Sequence, residues 1–589
     1  MAAIKHTNER NAQIVISLLK QHGVRKVIVS PGTTNLPIVY SVQKDSFFEV
    51  YSSVDERSAA YMACGMSATS GEPVALSCTG ATASRNYLPG LTEAFYRKLP
   101  VIAITSFNGN QNIGQLLPQT MDRTQIQNDV ALVSVDAPVV KDEQDALYCN
   151  RVVNQALLEC TRDGGGPVHI NLATGYDNSM GLGAVPKSRL IQRYFVDSPE
   201  VPPITRDKKV VVLVGAHNPF DEKTEASISS FAQTHNAVVM CDHTSNYHGF
   251  GRLLATLSTD NLRPLSASWG LLKPDLVISI GEISGDYATA DYLQATHAES
   301  WRVSPDGEIR DRFGTLTNVF QCSVASFFNR YSQEHISEQP HTYFAAWNRF
   351  DESMRRLLPE LPFSNRWIAQ QLAPQVPASS IMHFAILNSL RSWNYCEIDE
   401  SIRCFCNTGG FGIDGALSTL LGSALAEPDT LHFACVGDLA FFYDMNALGN
   451  RELSSNIRIL LINNKVGDEM HMPYASGYVL KDEGLDYVCA KDHFQSRTQV
   501  SGAQAWSEAM GFTYISAVDK QSFLDQAQYF VDPNAKGPMV FECFTTAEDD
   551  SATGRMLQRI DPVLNKKEDV KAAIKKVVPH SIIRRLKNV

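Results

Sequence analysis

The sequence predicts an α/β protein of three doubly wound parallel-sheet domains, and three observations carry that expectation. Short β-branched strands, turns and helix-length amphipathic segments alternate along most of the chain. A polar, proline-bearing stretch, SPEVPPITRDKK, interrupts this cadence once, and the amphipathic segment FAAWNRFDESMRRLL interrupts it again. The length, 589 residues, suits three or four domains of ~100–200 residues each. The expected boundaries are 1–185, 200–335 and 360–550, with a basic tail over 555–589.

In chain order, AQIVISLLKQHGV has apolar residues at helical spacing and ends near Gly23, and VRKVIVSPG is a strand stopped by Pro31-Gly32. ERSAAYMACGMSATSG reads as a helix whose small residues allow close packing, and PVALSCTG and PVIAIT read as buried strands. The second domain repeats the pattern with VVVLVGAHNP, AVVMCD and PDLVISIG. The third opens near Asn365 and has CFCNTGG, HFACVGD, IRILLINN and PMVFECF as strand candidates.

Composition narrows the function. Lys plus Arg number 52 against 63 Asp plus Glu, a formal charge of −11, which argues against a global grip on nucleic acid. No run approaches ~18 uncharged apolar residues, so no membrane span is expected. The N-terminus lacks the apolar stretch of a secretory signal. The twelve cysteines therefore read as reduced thiols and the cytoplasm as the default compartment. Cys404 and Cys406 read as strand residues of the core rather than zinc ligands. The tail from Arg559 carries Lys566, Lys567, Lys571, Lys575, Lys576, Arg584, Arg585 and Lys587, and is expected to be a solvated appendage.

One motif invites a dinucleotide reading. Gly410-Phe-Gly-Ile-Asp-Gly415 matches GxGxxG, follows CFCNT and leads into ALSTLLGSALA. A second pattern competes with it: one strand ends in Gly437-Asp438 and the next in Asn463-Asn464. Adjacent strands of an open parallel sheet share a crevice at their carboxyl ends, so an Asp and an Asn there can aim two oxygen ligands at one spot. That suits magnesium, which is commonly held by one or two side chains plus substrate phosphates, and amides at the helix start after Gly437 suit a diphosphate.

The GD…NN pair resembles the signature of thiamine diphosphate-dependent enzymes, with Leu439 replacing the usual second glycine of GDG. Within that family GIDGALST, GDLAFFYDMNAL and Val54-Asp-Glu-Arg-Ser look like the menaquinone-pathway branch, the 2-succinyl-5-enolpyruvyl-6-hydroxy-3-cyclohexene-1-carboxylate synthases, over nearly the whole chain to about residue 545. The resemblance implies a pyrimidine-binding first domain, a central Rossmann-like domain and a diphosphate-binding third domain. It implies thiamine diphosphate and Mg2+ as cofactors, with Asp438, Asn464 and the carbonyl of Val466 as metal ligands.

By the same resemblance Glu56 is the carboxylate that hydrogen-bonds the pyrimidine ring and Ile413 the apolar wedge beneath the cofactor. Pro31, Gly32, Thr79, Gly80, Thr82 and Asn86 would line the pyrimidine side, alongside Ala81. Ser389, Gly412, Gly437, Leu439 and Ala440 would line the diphosphate side. Gln119 lies near a glutamine that reaches substrate in the family. The first and third domains of different subunits embrace each cofactor there, which implies a homodimer or homotetramer.

Several arginines of the synthase branch are replaced: Thr34, Thr408 and Trp393, the last with Arg391 nearby, stand at such positions, and SFNGN around Phe107 and Asn108 replaces another. Losing several forked carboxylate contacts predicts a different acceptor. Glu469 or His471 is expected as an acid/base, and Lys465 as a partner of a substrate carboxylate. The expectation is a carboligase acting on a small 2-oxo acid or ketone. A 2-oxo acid decarboxylase, the synthase itself, and a non-catalytic cofactor-binding protein are the alternatives.

Overall fold

The computed structural model describes residues 5–123, 126–177, 179–264, 266–333, 342–472, 475–484 and 486–560. The expected tail lies outside the described residues from 561 onward. The chain divides into two compact units, residues 1–195 with 307–321, and 196–306 with 322–589.

In the first unit six apolar segments become strands β1 (Lys26–Val29), β2 (Glu49–Ser52), β3 (Val74–Cys78), β4 (Val101–Phe107), β5 (Ser134–Ala137) and β6 (Val168–Ala173). They form one sheet in the order β2-β1-β3-β4-β6-β5, paired parallel throughout. Alternate residues feed opposite faces, as a two-residue period requires. Val27, Ala75, Ile102 and Ile104 enter one core, and Ile28, Leu76, Val101 and Ala103 the other. Both faces are covered, which is why these strands read as continuous apolar runs.

The second unit carries two more parallel sheets. The first contains β7 (Val210–Val214), β8 (Val238–Cys241), β9 (Arg252–Leu254), β10 (Leu276–Ile280) and β11 (Glu299–Ser304), in the order β9-β8-β7-β10-β11. Renumbered from its own first strand this is 3-2-1-4-5, the Rossmann-like succession.

The second of these sheets contains β12 (Ile381–Phe384), β13 (Arg403–Cys406), β14 (His432–Gly437), β15 (Ile457–Asn463), β16 (Thr513–Ala517) and β17 (Met539–Phe544), in the order β13-β12-β14-β15-β17-β16. Renumbered in the same way, it has the 2-1-3-4-6-5 order of the first unit's sheet. One core takes Phe433, Cys435, Leu460, Ile462 and Phe541, and the other takes Ala434, Val436, Ile459, Leu461 and Val540.

The helix Glu56–Ser70 starts at Asp55, whose carboxylate accepts from the Arg57 amide at 3.1 Å, and stops at Gly71, where φ is 70°. Its small residues do what their size permits: a Cβ on Gly90 of the neighbouring helix would fall 2.4 Å from the Ala60 Cβ. All twelve cysteines are free thiols, with Cys404 buried on β13. Among the described residues no helix is long and apolar enough to cross a membrane.

Candidate active site

In both six-stranded sheets the chain leaves the first strand in one direction and returns on its other side for the third, so a crevice opens between the carboxyl ends of those two strands. In the first unit the segments there are Ser30–Asn35 after β1 and Thr79–Thr82 after β3. They approach so closely that a Cβ on Gly32 would lie 2.7 Å from the Thr79 Cβ, and one on Gly80 would lie 2.9 Å from the Ser106 carbonyl oxygen. Glycine is therefore required at both positions on packing grounds. Thr34 and Thr79 are joined through their hydroxyls, and Asn35 donates to the Ser30 carbonyl at 2.9 Å.

Ala81 has φ of 56° and opens the short helix Thr82–Asn86. That helix carries Asn86 to 3.5 Å from the Glu56 carboxylate, donating from Nδ2. Glu56 is half-buried at the head of its helix. Pro31, Gly32, Glu56, Thr79, Gly80, Thr82 and Asn86 thus lie on segments that follow β1, β2 and β3. Gln119 is exposed, with φ of 59°, in the segment between β4 and β5.

In the second unit the corresponding crevice lies between the segment after β12 and that after β14. A cavity of about 120 Å³ there is lined by Ser389, Ile413, Gly437, Asp438, Leu439, Ala440, Asn464, Val466 and Glu469, among others. Ile413 packs against both cores of its sheet. Gly412 leaves room for its own loop, since a Cβ there would meet Asp414 Oδ1 at 2.4 Å. The register of β14 and β15 pairs Gly437 with Ile462, and so sets Asp438 beside the end of β15.

Electrostatics mark this cavity as a place for a cation. Asp438 is 6% exposed, and burial pushes its carboxyl up to about 6, against amide hydrogen bonds that include Leu439 N–H at 2.7 Å. Burial also raises Asp468 and Asp550, and each of Asp438 and Asp550 raises Asp468 further by repulsion. The Oδ1 of Asp468 is buried and has no hydrogen-bond partner among the described residues. Among the described residues no three His, Cys, Asp or Glu side chains form a metal cluster. The residues present instead match a carboxylate, amide and carbonyl set completed by phosphate oxygens and water.

Asp550 and Asp468 were not legible as site residues. Asp550 accepts from Asn464 Nδ2 at 3.2 Å, from the Asn365 amide at 2.7 Å and from the Thr545 hydroxyl at 2.9 Å. It thereby fixes the side-chain amide of Asn464, whose Oδ1 accepts from the Val466 N–H at 3.3 Å. The only hint was the acidic start of AEDDSATGRML, which reads equally well as a helix head.

Glu469 lines a second, larger cavity of about 560 Å³, also bordered by Asp260, Asp286, Tyr287, Arg366 and Arg391. Glu469 pairs with Arg391 at 2.5 Å. The Arg391 guanidinium lies 3.8 Å from the Tyr287 ring centre, and Tyr287 stacks on Phe411 with 4° between planes. A column of Glu469, Arg391, Tyr287 and Phe411 therefore runs from the large cavity to the Ile413 loop. Lys465 is exposed with φ of 61°, and the His471 ring lies 6.5 Å from that of Tyr478. Trp393 and Thr408 are buried in structural positions.

Residues 10–127 match the family model described as thiamine pyrophosphate enzyme, N-terminal TPP binding domain. The chain is 30% identical over 565 residues to the 2-succinyl-5-enolpyruvyl-6-hydroxy-3-cyclohexene-1-carboxylate synthase of Bacteroides thetaiotaomicron, an alignment covering 93% of this chain and 98% of that protein. It is 31% identical over 576 residues to the protein of the same name from Bacteroides fragilis, with the same coverage. A third, from Porphyromonas gingivalis, is 26% identical over 491 residues, covering 78% of this chain and 83% of the relative.

Proposed function

The chain belongs to the thiamine pyrophosphate (thiamine diphosphate)-dependent enzyme family that includes the 2-succinyl-5-enolpyruvyl-6-hydroxy-3-cyclohexene-1-carboxylate synthases, and on that premise we propose that it is a magnesium-dependent carboligase. In this reading it moves the acyl unit of a 2-oxo acid or ketone donor to an electrophilic acceptor. The observation that carries the reading is that two cavities of the second unit share a wall residue, Glu469. The smaller holds Asp438, Asn464 and Ile413, the larger could take a substrate, and Glu469 borders both.

When bound, the cofactor supplies the nucleophilic carbon that accepts the acyl unit. The chain's own residues do the rest. Asp438, Asn464 and the Val466 carbonyl would hold magnesium, and Ile413 would support the cofactor ring. Glu56, steadied by Asn86, holds a proton at the pyrimidine ring nitrogen. Arg391 offers a forked donor to a substrate carboxylate, and Glu469, released from Arg391 by that exchange, moves a proton on the bound substrate.

The activity named for the relatives is a second reading, favoured by alignment over 98% of their length. Against it stand the replaced arginines of that branch, at Thr34, Thr408 and Trp393. Incubating the enzyme, thiamine diphosphate and Mg2+ with 2-oxo acids, with and without aldehyde acceptors, and identifying products by mass spectrometry tests these readings. A ligated product supports the carboligase, and release of free aldehyde alone makes it a decarboxylase. Calorimetric titration with thiamine diphosphate that gave no magnesium-dependent binding would end both.

Twelve free thiols fit a reducing, cytoplasmic setting. The reading also calls for assembly as at least a homodimer, for which sedimentation velocity is the check.

A further inference from the structure

Arg123 lies outside the residues assigned above. Its side chain is 4% exposed, and among the described residues Nε, Nη1 and Nη2 all lack hydrogen-bond partners. Buried guanidinium groups are ordinarily paired, because their desolvation is otherwise uncompensated. One face of this guanidinium is covered by Phe107, whose ring centre lies 4.9 Å away. Its edge faces Gly80, where a Cβ would stand 3.7 Å from both Nη atoms. Phe107 ends β4 and Gly80 follows β3, so the group sits at the carboxyl ends of two adjacent parallel strands, where ligands of such sheets collect.

Arg123 and Arg85 border a cavity of about 20 Å³ whose lining contains no aspartate or glutamate. The Tyr87 hydroxyl on the same wall also lacks a hydrogen-bond partner among the described residues, and the remaining polar groups are committed elsewhere. His169 is held to about 3 by burial and by Arg123, so it is neutral, and its two nitrogens meet the Thr105 and Ser134 hydroxyls at 2.7 Å each. Asp136, which attracts Arg123 from a distance, accepts from Asn110 at 3.1 Å and Asn171 at 2.8 Å. Burial lowers the Arg123 guanidinium to about 10, with Arg85 adding repulsion, and it stays cationic at neutral pH. So small a volume suits a small monoanionic group rather than a large polyanion.

We propose that this is a binding site for a small monoanion, in which Arg123 holds a chloride-sized ion or the carboxylate end of a substrate beside the Gly80 turn. The full-length protein crystallised in sodium bromide, with data taken at the bromine edge, should give an anomalous peak within hydrogen-bonding distance of the Arg123 Nη atoms. In solution, exchanging gluconate for chloride at constant ionic strength should raise the melting temperature by about 2 °C or more. Arg123→Met should abolish that chloride-specific rise and Arg123→Lys retain part of it.

Ordered water without an anomalous peak, or a melting temperature that follows ionic strength alone, would overturn the proposal, and both measurements on the unsubstituted protein stand even if a variant fails to fold. Loss of the bromide peak on adding a 2-oxo acid would identify the natural occupant as a substrate carboxylate, and persistence would identify it as free halide. Only this last arm leans on the proposed reaction; bromide binding without any carboligase activity would leave the site standing.

Discussion

Asp550→Asn is the sharpest perturbation of the magnesium assignment, because it keeps shape and removes one acceptor. The Asp550 carboxylate satisfies two demands at once: one oxygen takes the Asn365 amide at 2.7 Å, and the other takes Asn464 Nδ2 at 3.2 Å and the Thr545 hydroxyl at 2.9 Å. An asparagine has a single acceptor oxygen. If that oxygen turns to Asn365, two NH2 groups face each other and Asn464 must flip, presenting a donor where a metal needs an oxygen. If it turns to Asn464, the buried Asn365 amide is orphaned, at roughly 1–3 kcal/mol. The variant takes the cheaper course, so magnesium affinity should fall by up to that amount, roughly 5- to 150-fold. Calorimetric Mg2+ titration in saturating thiamine diphosphate measures it. Because the substitution also removes a buried charge that repels Asp468, thermal stability should change little. Unaltered magnesium affinity would refute the idea that Asp550 orients Asn464.

Glu56→Gln should lower kcat by roughly 10²- to 10⁴-fold while leaving cofactor affinity within a few-fold, and steady-state kinetics that retained full turnover would remove Glu56 from the chemistry. Arg391→Ala should cost about 2 kcal/mol or more in kcat/KM for a 2-oxo acid, roughly 30-fold, because Glu469 loses its partner and the substrate its fork; an unchanged ratio would exclude Arg391 from substrate binding. His243 is held to about 4, chiefly by burial and then by Arg252, and its Nε2–H donates to the Trp393 and Cys396 carbonyls at 3.0 Å each. Its folded value lies below the ordinary 6.5, so its contribution is intact above 6.5 and is lost as pH falls toward 4. At pH 5.5 the loss is about 1.4 kcal/mol, and denaturant titrations should show that increment of acid sensitivity missing from His243→Gln.

Legibility in the sequence followed burial. Strands covered on both faces, such as Val210–Val214 and Ile457–Asn463, are unbroken apolar runs and stand out. The strand Ile381–Phe384 is just as buried but only four residues long and contains His383, so no run announced it. Thr513–Ala517 lies at a sheet edge and is mostly half-buried, which blurred its alternation. At the site, Asp438 and Asn464 were readable because strand ends supply them at fixed places. Asp550 was not, since it reaches Asn464 from a helix 86 residues further on, and no local pattern encodes such a meeting. The pairing of Glu469 with Arg391 was invisible for the same reason: separate segments 78 residues apart bring them together.

The glycine motif shows why topology outweighs a motif match. A dinucleotide turn works because its glycines follow the first strand of the sheet, placing the ensuing helix start at the point where strand order reverses. Gly410–Gly415 follows β13, and the order β13-β12-β14-β15-β17-β16 puts β13 at the outer edge. The reversal lies instead between β12 and β14, where Ser389 and Asp438 stand. The GFGIDG loop approaches that crevice from the side, delivering Ile413 to the cavity wall. An apolar side chain at that position does not suit a pyrophosphate, which would need converging amides. The same order recurs in the first unit, where the crevice between β1 and β3 lies beside Gly32 and Thr79. Two sheets with one topology thus present two crevices of different chemistry: one walled by glycine and threonine next to a half-buried glutamate, the other lined by buried carboxylates.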